Sequence, residues 1–287
     1  MAGAQPAKDP TGLSILTGRS NLALRVISSL VLAPAALAAA WVGGIPFALF
    51  WSAAALIVLW EWQSLVTTRD RNAVLAIGAA ALLGAAVLLT IGWPGTATAF
   101  FVLGLLGMAA IASRARRRWC VTGLAYATVA VAAPILLRKD VEFGFAAIIF
   151  LFVVVWLTDI AAYFAGRAIG GPKLMPEVSP KKTWAGAVGG TLAGVVGGVL
   201  AARQLGVGVS LATALIALGL SIVSQAGDLF ESWVKRCFHT KDASTLIPGH
   251  GGAMDRLDGF VAAAFAAAVV GLAHGGLSHP ARGLLVW

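Results

Sequence analysis

The chain is poor in charge, and poorest in acid. Only 11% of its 287 residues are charged, and twelve are Asp or Glu; a soluble domain carries about 25% charged residues. That scarcity, beside 59% hydrophobic residues, excludes an ordinary soluble fold and leaves no room for a separate soluble domain. Cysteine is also scarce. Cys120 and Cys237 are too few for a disulfide framework, and both lie beside basic loops assigned below to the cytoplasm, where thiols stay reduced. Neither His239 nor His250 has a Cys or His partner at zinc spacing. No Gly-x-x-x-x-Gly-Lys-Ser/Thr loop occurs, which argues against a P-loop ATPase. A net charge of +9 could suit nucleic acid. In a chain this apolar it reflects cytoplasmic loops and anionic headgroups instead, so no nucleic-acid partner is expected.

What the chain does have is a series of apolar runs near the ~20 residues that cross a bilayer core. They cover residues 24–42, 46–66, 74–93, 96–112, 120–137, 143–164, 184–202, 207–230 and 259–277. The expected fold is all-α and polytopic, with nine transmembrane helices, the N-terminus cytoplasmic and the C-terminus outside. Residues 1–23 form a cytoplasmic leader and 24–287 a single membrane domain. Within it, 24–140 are lipid-side or scaffold spans, and 141–287 are catalytic spans and loops. On this topology seventeen Lys and Arg face the cytoplasm, and only Arg138, Lys139, Arg203 and Arg282 face outward. That asymmetry is what the positive-inside rule demands, and one interior span more or fewer would invert the later loops. The small residues at 35–40, preceded by Lys8, Arg19 and Arg25, also resemble the end of a signal peptide. The long polar leader and the apolar continuation to Val42 favour a span. Outward connections are short. The two long loops, 165–183 and 231–258, are both cytoplasmic and flank the hairpin of spans seven and eight. Long connections in a compact domain are usually functional.

Five of the twelve acidic residues fall within positions 224–259. Asp228, Glu231, Ser232 and Lys235 are spaced i, i+3, i+4 and i+7, which is one helical stripe. Asp255 and Asp258 share a face if the ninth helix has begun by then. Two short acidic faces joined by a glycine-rich loop could hold a hard cation such as Mg²⁺, which takes oxygen ligands and keeps several waters. The alternative is a capped, salt-bridged loop in which Asp255 and Asp258 merely favour a helix N-terminus. Asp159, near the cytoplasmic end of span six, and Glu61 in span two are acids within apolar runs, so each should face a bundle interior or a polar cavity. Arg25 or Arg69 could pair with Glu61. Lys181 and Lys182, after Pro180, open span seven; a helix N-terminus with two ammonium groups suits phosphate, and interfacial anchoring is the plainer reading. His250 and His239 read more readily as hydrogen-bonding loop residues than as ligands. In span seven Gly186, Gly190, Gly194 and Gly198 recur every fourth residue, a small-residue face that lets another helix approach closely.

Ser232-Trp233-Val234-Lys235-Arg236 is followed by Lys241-Asp242-Ala243-Ser244 and by Ile247-Pro248-Gly249-His250-Gly251-Gly252-Ala253-Met254-Asp255-Arg256-Leu257-Asp258. This long gapless pattern resembles the signature of the phosphatidate cytidylyltransferases, also called CDP-diacylglycerol synthases. Ser179-Pro180-Lys181-Lys182-Thr183-Trp184, and Asp159 with Tyr163, Gly166 and Arg167, resemble the same family. The resemblance is strong over about residues 156–260 and general in the first five spans. Two departures are Ala185, where the family commonly has an acid, and Ala253, where it usually has a larger apolar residue. The resemblance implies a Mg²⁺-dependent transfer at the cytoplasmic face of the inner membrane, with a second cation open. Phosphatidate would attack the α-phosphorus of CTP, giving CDP-diacylglycerol and pyrophosphate. It implies catalytic roles for Asp228, Lys235, Arg236, Lys241, Asp242, His250 and Arg256. Ser179, Lys181, Lys182, Thr183, Asp159, Arg167, Ser232, Gly251 and Gly252 would bind substrate, and Asp228, Asp255, Asp258 and Glu231 would hold metal, with Asp228 and Asp255 the direct ligands. A homodimer stays open. Two other readings compete: a CTP-dependent transferase acting on an archaeol- or polyprenyl-type phosphate, and an ion-coupled transporter. The second would call for broken helices near the bilayer middle and repeated halves, and the sequence shows neither.

Overall fold

The computed structural model describes residues 30–66, 70–244, 246 and 251–287. Among these residues a short apolar helix, α1 (Leu30–Val42), precedes eight helices long and apolar enough to cross a membrane. They are α2 (Gly44–Val66), α3 (Arg71–Thr90), α4 (Pro94–Ile111), α5 (Arg117–Arg138), α6 (Gly144–Ile169), α7 (Trp184–Gln204), α8 (Leu211–Cys237) and α9 (Met254–Gly275). A six-residue helix, α10 (Pro280–Leu285), follows. The expected all-α polytopic class holds in the main. Eight of the nine expected spans correspond to α2–α9; the beginning of the first, 24–29, lies outside the described residues, as do Lys8, Arg19, Arg25 and Arg69.

Several boundaries differ from the sequence expectation, for one reason. The expected spans stop where polarity begins, whereas a helix stops where its backbone hydrogen bonds stop. Thus α6 continues to Ile169, α8 continues through the polar stripe to Cys237, and α9 opens at Met254, before Asp255 and Asp258. The loop before α7 is also not wholly irregular. β1 (Lys173–Met175) and β2 (Ser179–Thr183) form an antiparallel hairpin with Lys173 opposite Thr183 and Met175 opposite Ser179. Lys181 and Lys182 therefore sit on a strand rather than in the first turn of a helix. Thr183 is the N-cap of α7, its Oγ1 accepting from the Gly186 N–H at 3.1 Å, which satisfies one of the free donors of the first turn.

The small-residue face of α7 packs on α6 within the same chain. A Cβ built on Gly190 would lie 2.6 Å from the Thr158 carbonyl oxygen, and one on Gly186 would lie 2.8 Å from that of Ala162. One on Gly194 would meet Thr158 Oγ1 and lie 3.1 Å from Ser221 Oγ. Those two hydroxyls share a hydrogen bond of 2.7 Å between α6 and α8. The opposite face of α7 carries exposed Val188, Leu192, Val196 and Leu200, the side left to lipid. A second close approach joins α8 to α9. A Cβ on Gly227 would lie 2.8 Å from the Asp258 carbonyl oxygen, and one on Gly259 3.1 Å from that of Ser224. Away from the polar end, the core is aromatic and aliphatic, with Trp51 of α2 stacked on Phe260 of α9 at 4.7 Å.

The far end of the bundle has its own ties. Arg138 Nε donates to the Ala40 carbonyl at 2.7 Å, and Asp140 accepts from the Arg282 N–H at 3.1 Å. Because α7 has no spare volume against α6, Gly194→Leu should lower the yield of monodisperse protein; overpacking a core commonly costs about 1–3 kcal/mol. Size-exclusion recovery and a thermal melt in detergent check it, and an unchanged yield and melt would mean that this face has room that the packing denies.

Candidate active site

The polar end draws residues from five helices and one strand. α8 supplies Asp228, Glu231, Ser232 and Lys235 along one stripe. Lys235 Nζ lies 2.6 Å from Glu231 Oε2, one turn back on its own helix, and 2.5 Å from Asp255 Oδ1 at the start of α9. One ammonium thus joins two carboxylates across two helices. Asp255 is further engaged, its Oδ2 accepting from the N–H groups of Gly252 at 2.7 Å and Ala243 at 3.0 Å. Asp228 Oδ2 pairs with Lys182 of β2 at 2.5 Å, and Ser232 Oγ donates to its Oδ1 at 3.4 Å.

The remaining acids gather beside these pairs. Asp258 lies within electrostatic reach of Asp228, Glu231 and Asp159. Asp159 is in turn within reach of Asp228, Lys182 and Arg256. Asp258 Oδ1 accepts from the next N–H, that of Gly259, at 2.7 Å. Glu231 has no exposed surface, and beyond its ion pair neither oxygen accepts a well-formed hydrogen bond among the described residues. The Tyr126 hydroxyl of α5 is buried without a hydrogen-bond partner among the described residues, and within electrostatic reach of Asp258, Glu231, Asp228 and Asp255. Close approach of α8 to α9 at Gly227 and Gly259 is what brings Asp228 and Asp258 together, since each acid is the chain neighbour of one of those glycines.

The other sequence-predicted residues fall at several distances from this group. Arg236 ties the end of α8 to the hairpin and the following turn, its Nε donating to the Val178 carbonyl at 3.4 Å and its Nη1 to that of Thr240 at 2.8 Å. Arg167 is exposed at the end of α6, with Nη1 3.1 Å from the Tyr163 hydroxyl. Lys181, Lys241 and Asp242 are exposed, and Ser179 is half-buried on β2. Gly251 adopts φ +86°, a left-handed conformation that glycine tolerates. Gly252 admits a carboxylate where a Cβ would stand, 2.6 Å from Glu61 Oε1. His250 lies outside the described residues.

The acids offer oxygen donors, the kind a hard cation takes. Among the described residues no three His, Cys, Asp or Glu converge as a metal cage, because lysines occupy part of the set. Lys182 holds Asp228, and Lys235 holds Glu231 and Asp255. Asp255 already accepts from three donors. Asp228, Asp258 and Glu231 keep oxygens free of strong donors, and so fit Mg²⁺ in kind.

The sequence reading singled out Glu61 but not its partners, and it missed Tyr126. Glu61 is fully buried, and its described partners are Ser244 and the start of α9, whereas the sequence expectation offered Arg25 or Arg69, neither of which is described. Tyr126 drew no attention, although a phenol in an apolar span needs a partner for its hydroxyl.

A family model described as the cytidylyltransferase family matches residues 23–273. A protein of Brucella suis named phosphatidate cytidylyltransferase is 47% identical over 246 residues, covering 85% of this chain and 91% of that protein. One of the same name from Pseudomonas aeruginosa is 37% identical over 261 residues, covering 83% and 93%. One from Haemophilus influenzae is 42% identical over 129 residues, covering 43% and 45%. The match spans nearly the whole membrane bundle and every described residue of its polar end, and the chain belongs to the cytidylyltransferase family.

Proposed function

We propose that this chain is a membrane phosphatidate cytidylyltransferase that makes CDP-diacylglycerol and pyrophosphate from CTP and phosphatidate. The observation that carries the reading is the joining of lysines and carboxylates at one end of an otherwise apolar bundle, Lys182 on Asp228 and Lys235 on Glu231 and Asp255. The reaction needs positioning and charge neutralisation more than covalent help. A phosphate oxygen of phosphatidate forms a bond to the α-phosphorus of CTP while the bond to the bridging oxygen of the β-phosphate breaks, and pyrophosphate leaves. Lys182 and Arg256, with exposed Lys181, would bind polyphosphate oxygens and offset the charge developing on the leaving group. Lys235 holds the ends of α8 and α9 in register beneath them. Asp228, Asp258 and Glu231 would hold Mg²⁺, whose chemistry when bound is to neutralise phosphate oxygens and fix their orientation. A lipid phosphate sits at headgroup level, and a site at the ends of the helices serves both it and a soluble nucleotide.

The test is purified protein in detergent with labelled CTP, Mg²⁺ and phosphatidate. Lipid-extractable CMP label is the expected result, lost when the metal is chelated. Label that appears only with a polyprenyl- or archaeol-type phosphate would replace phosphatidate as the acceptor, and no label with any lipid phosphate would reject the reaction.

Two substitutions separate chemistry from architecture. Asp228→Asn should reduce turnover by about 10²–10³-fold, the scale of losing one transition-state electrostatic contact, with little change in melting temperature, because its ion pair is partly exposed. Asp255→Asn should lower the melting temperature as well as the rate, since it strips a partner from buried Lys235; breaking a buried pair costs about 3–5 kcal/mol. Equal melting temperatures for both variants would contradict this division. Lys182→Ala should raise the KM for CTP more than that for phosphatidate, by roughly tenfold or more for a lost charged hydrogen bond. Lys182→Arg should restore part of it. Equal rises for both substrates would make Lys182 an anchor rather than a nucleotide contact.

We further place the polar end at the cytoplasmic face of the inner membrane. Arg114, Arg116, Arg117 and Arg118 adjoin α5 at that end, whereas Arg138, Lys139, Arg203 and Arg282 mark the other. Single cysteines introduced beside Arg282 should label from outside intact cells and those beside Arg116 should not; the reverse pattern would invert the orientation.

A further inference from the structure

Glu61 lies near the end of α2, in the half of the chain remote from the family signature, and it has no exposed surface. An isolated buried carboxylate is costly unless it is hydrogen-bonded. Glu61 Oε1 accepts from Ser244 Oγ at 2.6 Å and from the Ala253 N–H at 2.9 Å, and Oε2 accepts from the Met254 N–H at 2.6 Å. Met254 opens α9, and Ala253, its N-cap, provides no side-chain cap. The first N–H groups of a helix have no acceptor within the helix, and a negative charge there is favoured by the helix dipole. The cap for α9 is therefore supplied by a different helix, from 192 and 193 positions away. Gly252 permits the approach, since a Cβ there would lie 2.6 Å from Glu61 Oε1.

Asp255 performs the companion task from the other side. It takes the N–H groups of Ala243 and Gly252. Each strand of the neck of segment 243–254 is thus held by both acids, 243–244 on the way out and 252–254 on the way back. Asp255 also carries Lys235, which carries Glu231. A shift at Glu61 is passed through the start of α9 to Asp255, and from there to the ionic junction. Tight packing alone does not call for such a group, because a buried ionic group can often be replaced by apolar residues without loss of stability.

We propose that Glu61 is a positioning residue for cytidylyl transfer, clamping the neck of segment 243–254 so that Asp255 and Lys235 stand in working register. The proposal rests on the functional reading above for its rate arm. Glu61→Gln keeps the size of the side chain but turns an amide donor toward groups that are themselves donors. In purified full-length protein its kcat should fall about 10²-fold, the effect of misplacing reacting groups by about 1 Å. The KM values for CTP and phosphatidate should move less than ~threefold, as when an interaction made only in the transition state is lost. Hydrogen exchange should accelerate across 243–254 and stay unchanged in α6 and α7. Ser244→Ala removes one of the three bonds and leaves the carboxylate capped, so it should show a smaller loss of kcat with the same local exchange, and it decides the matter if the Gln variant does not fold. Wild-type kcat with wild-type exchange in either folded variant overturns the proposal, as does a fall in kcat with exchange raised throughout the bundle. A wild-type protein that transfers no cytidylyl group would strike the functional reading alone, and the exchange arm would still show whether Glu61 holds the neck.

Discussion

The structure depends on one ammonium group held between two carboxylates. Lys235 reaches Glu231 on its own helix and Asp255 on the next, and all three are largely withdrawn from solvent. Buried charges of this kind hold together only as a complete set, because removal of any member leaves another unpaired. The set is positioned by something chemically unlike it. Gly227 and Gly259 let the backbones of α8 and α9 come within contact distance, which crowds Asp228 with Asp258 beside the glycines and Glu231 with Asp255 one helical turn away. Close packing thus imposes the electrostatic problem; Lys235 answers it for Glu231 and Asp255, and Lys182 for Asp228.

The same economy explains why the polar groups stand at helix ends. Within a bilayer core every backbone group must be paired inside the helix, and an ionised side chain is expensive there. At an end, the backbone itself offers free N–H groups and carbonyls. Glu61 uses the free N–H groups at the start of α9, Asp255 those of Ala243 and Gly252 in the preceding loop, and Thr183 that of Gly186 in α7. Each acid that would be a liability in mid-membrane becomes the complement of a helix or loop terminus. Lys182, carried by the hairpin just before α7, completes the arrangement by meeting Asp228 from outside the bundle.

Much of this was legible in the chain. Long apolar runs mark α2–α9, the i, i+3, i+4, i+7 spacing puts Asp228 to Lys235 on one face, and the four-residue glycine repeat marks the side of α7 that meets a neighbour. Periodicity and hydropathy report local preferences, and these features are local. The features that were not legible depend on hydrogen bonds and on distance. The polar continuation of α8 to Cys237 and the early start of α9 are set by backbone pairing, which hydropathy does not see. The hairpin at 173–183 is a pairing across a turn of a segment whose side chains read as a loop. The pairing of Glu61 with Ser244 spans 183 positions, and nothing near Glu61 in the chain signals it. Asp255 and Asp228 look equivalent by composition, yet one accepts from three donors and the other from a partly exposed lysine and a distant serine hydroxyl.

These placements change the meaning of the first half of the chain. Judged by signature residues, the spans before residue 140 serve as scaffold for the spans after it. But Glu61 of α2 caps α9, and Tyr126 of α5 keeps a buried hydroxyl, without a hydrogen-bond partner among the described residues, within electrostatic reach of the acids. Trp62, next to Glu61, is pinned to the start of α5 through the Trp119 carbonyl at 2.8 Å, and Gln63 to that of Cys120 at 2.8 Å. Three consecutive side chains of α2 therefore couple α5 and α9, so the end of α2 cannot move independently of either. A site made from helix ends can be no more rigid than the ties between those ends. In this protein some of those ties, from Glu61 to α9 and from Trp62 and Gln63 to α5, start in the half of the sequence that carries no signature.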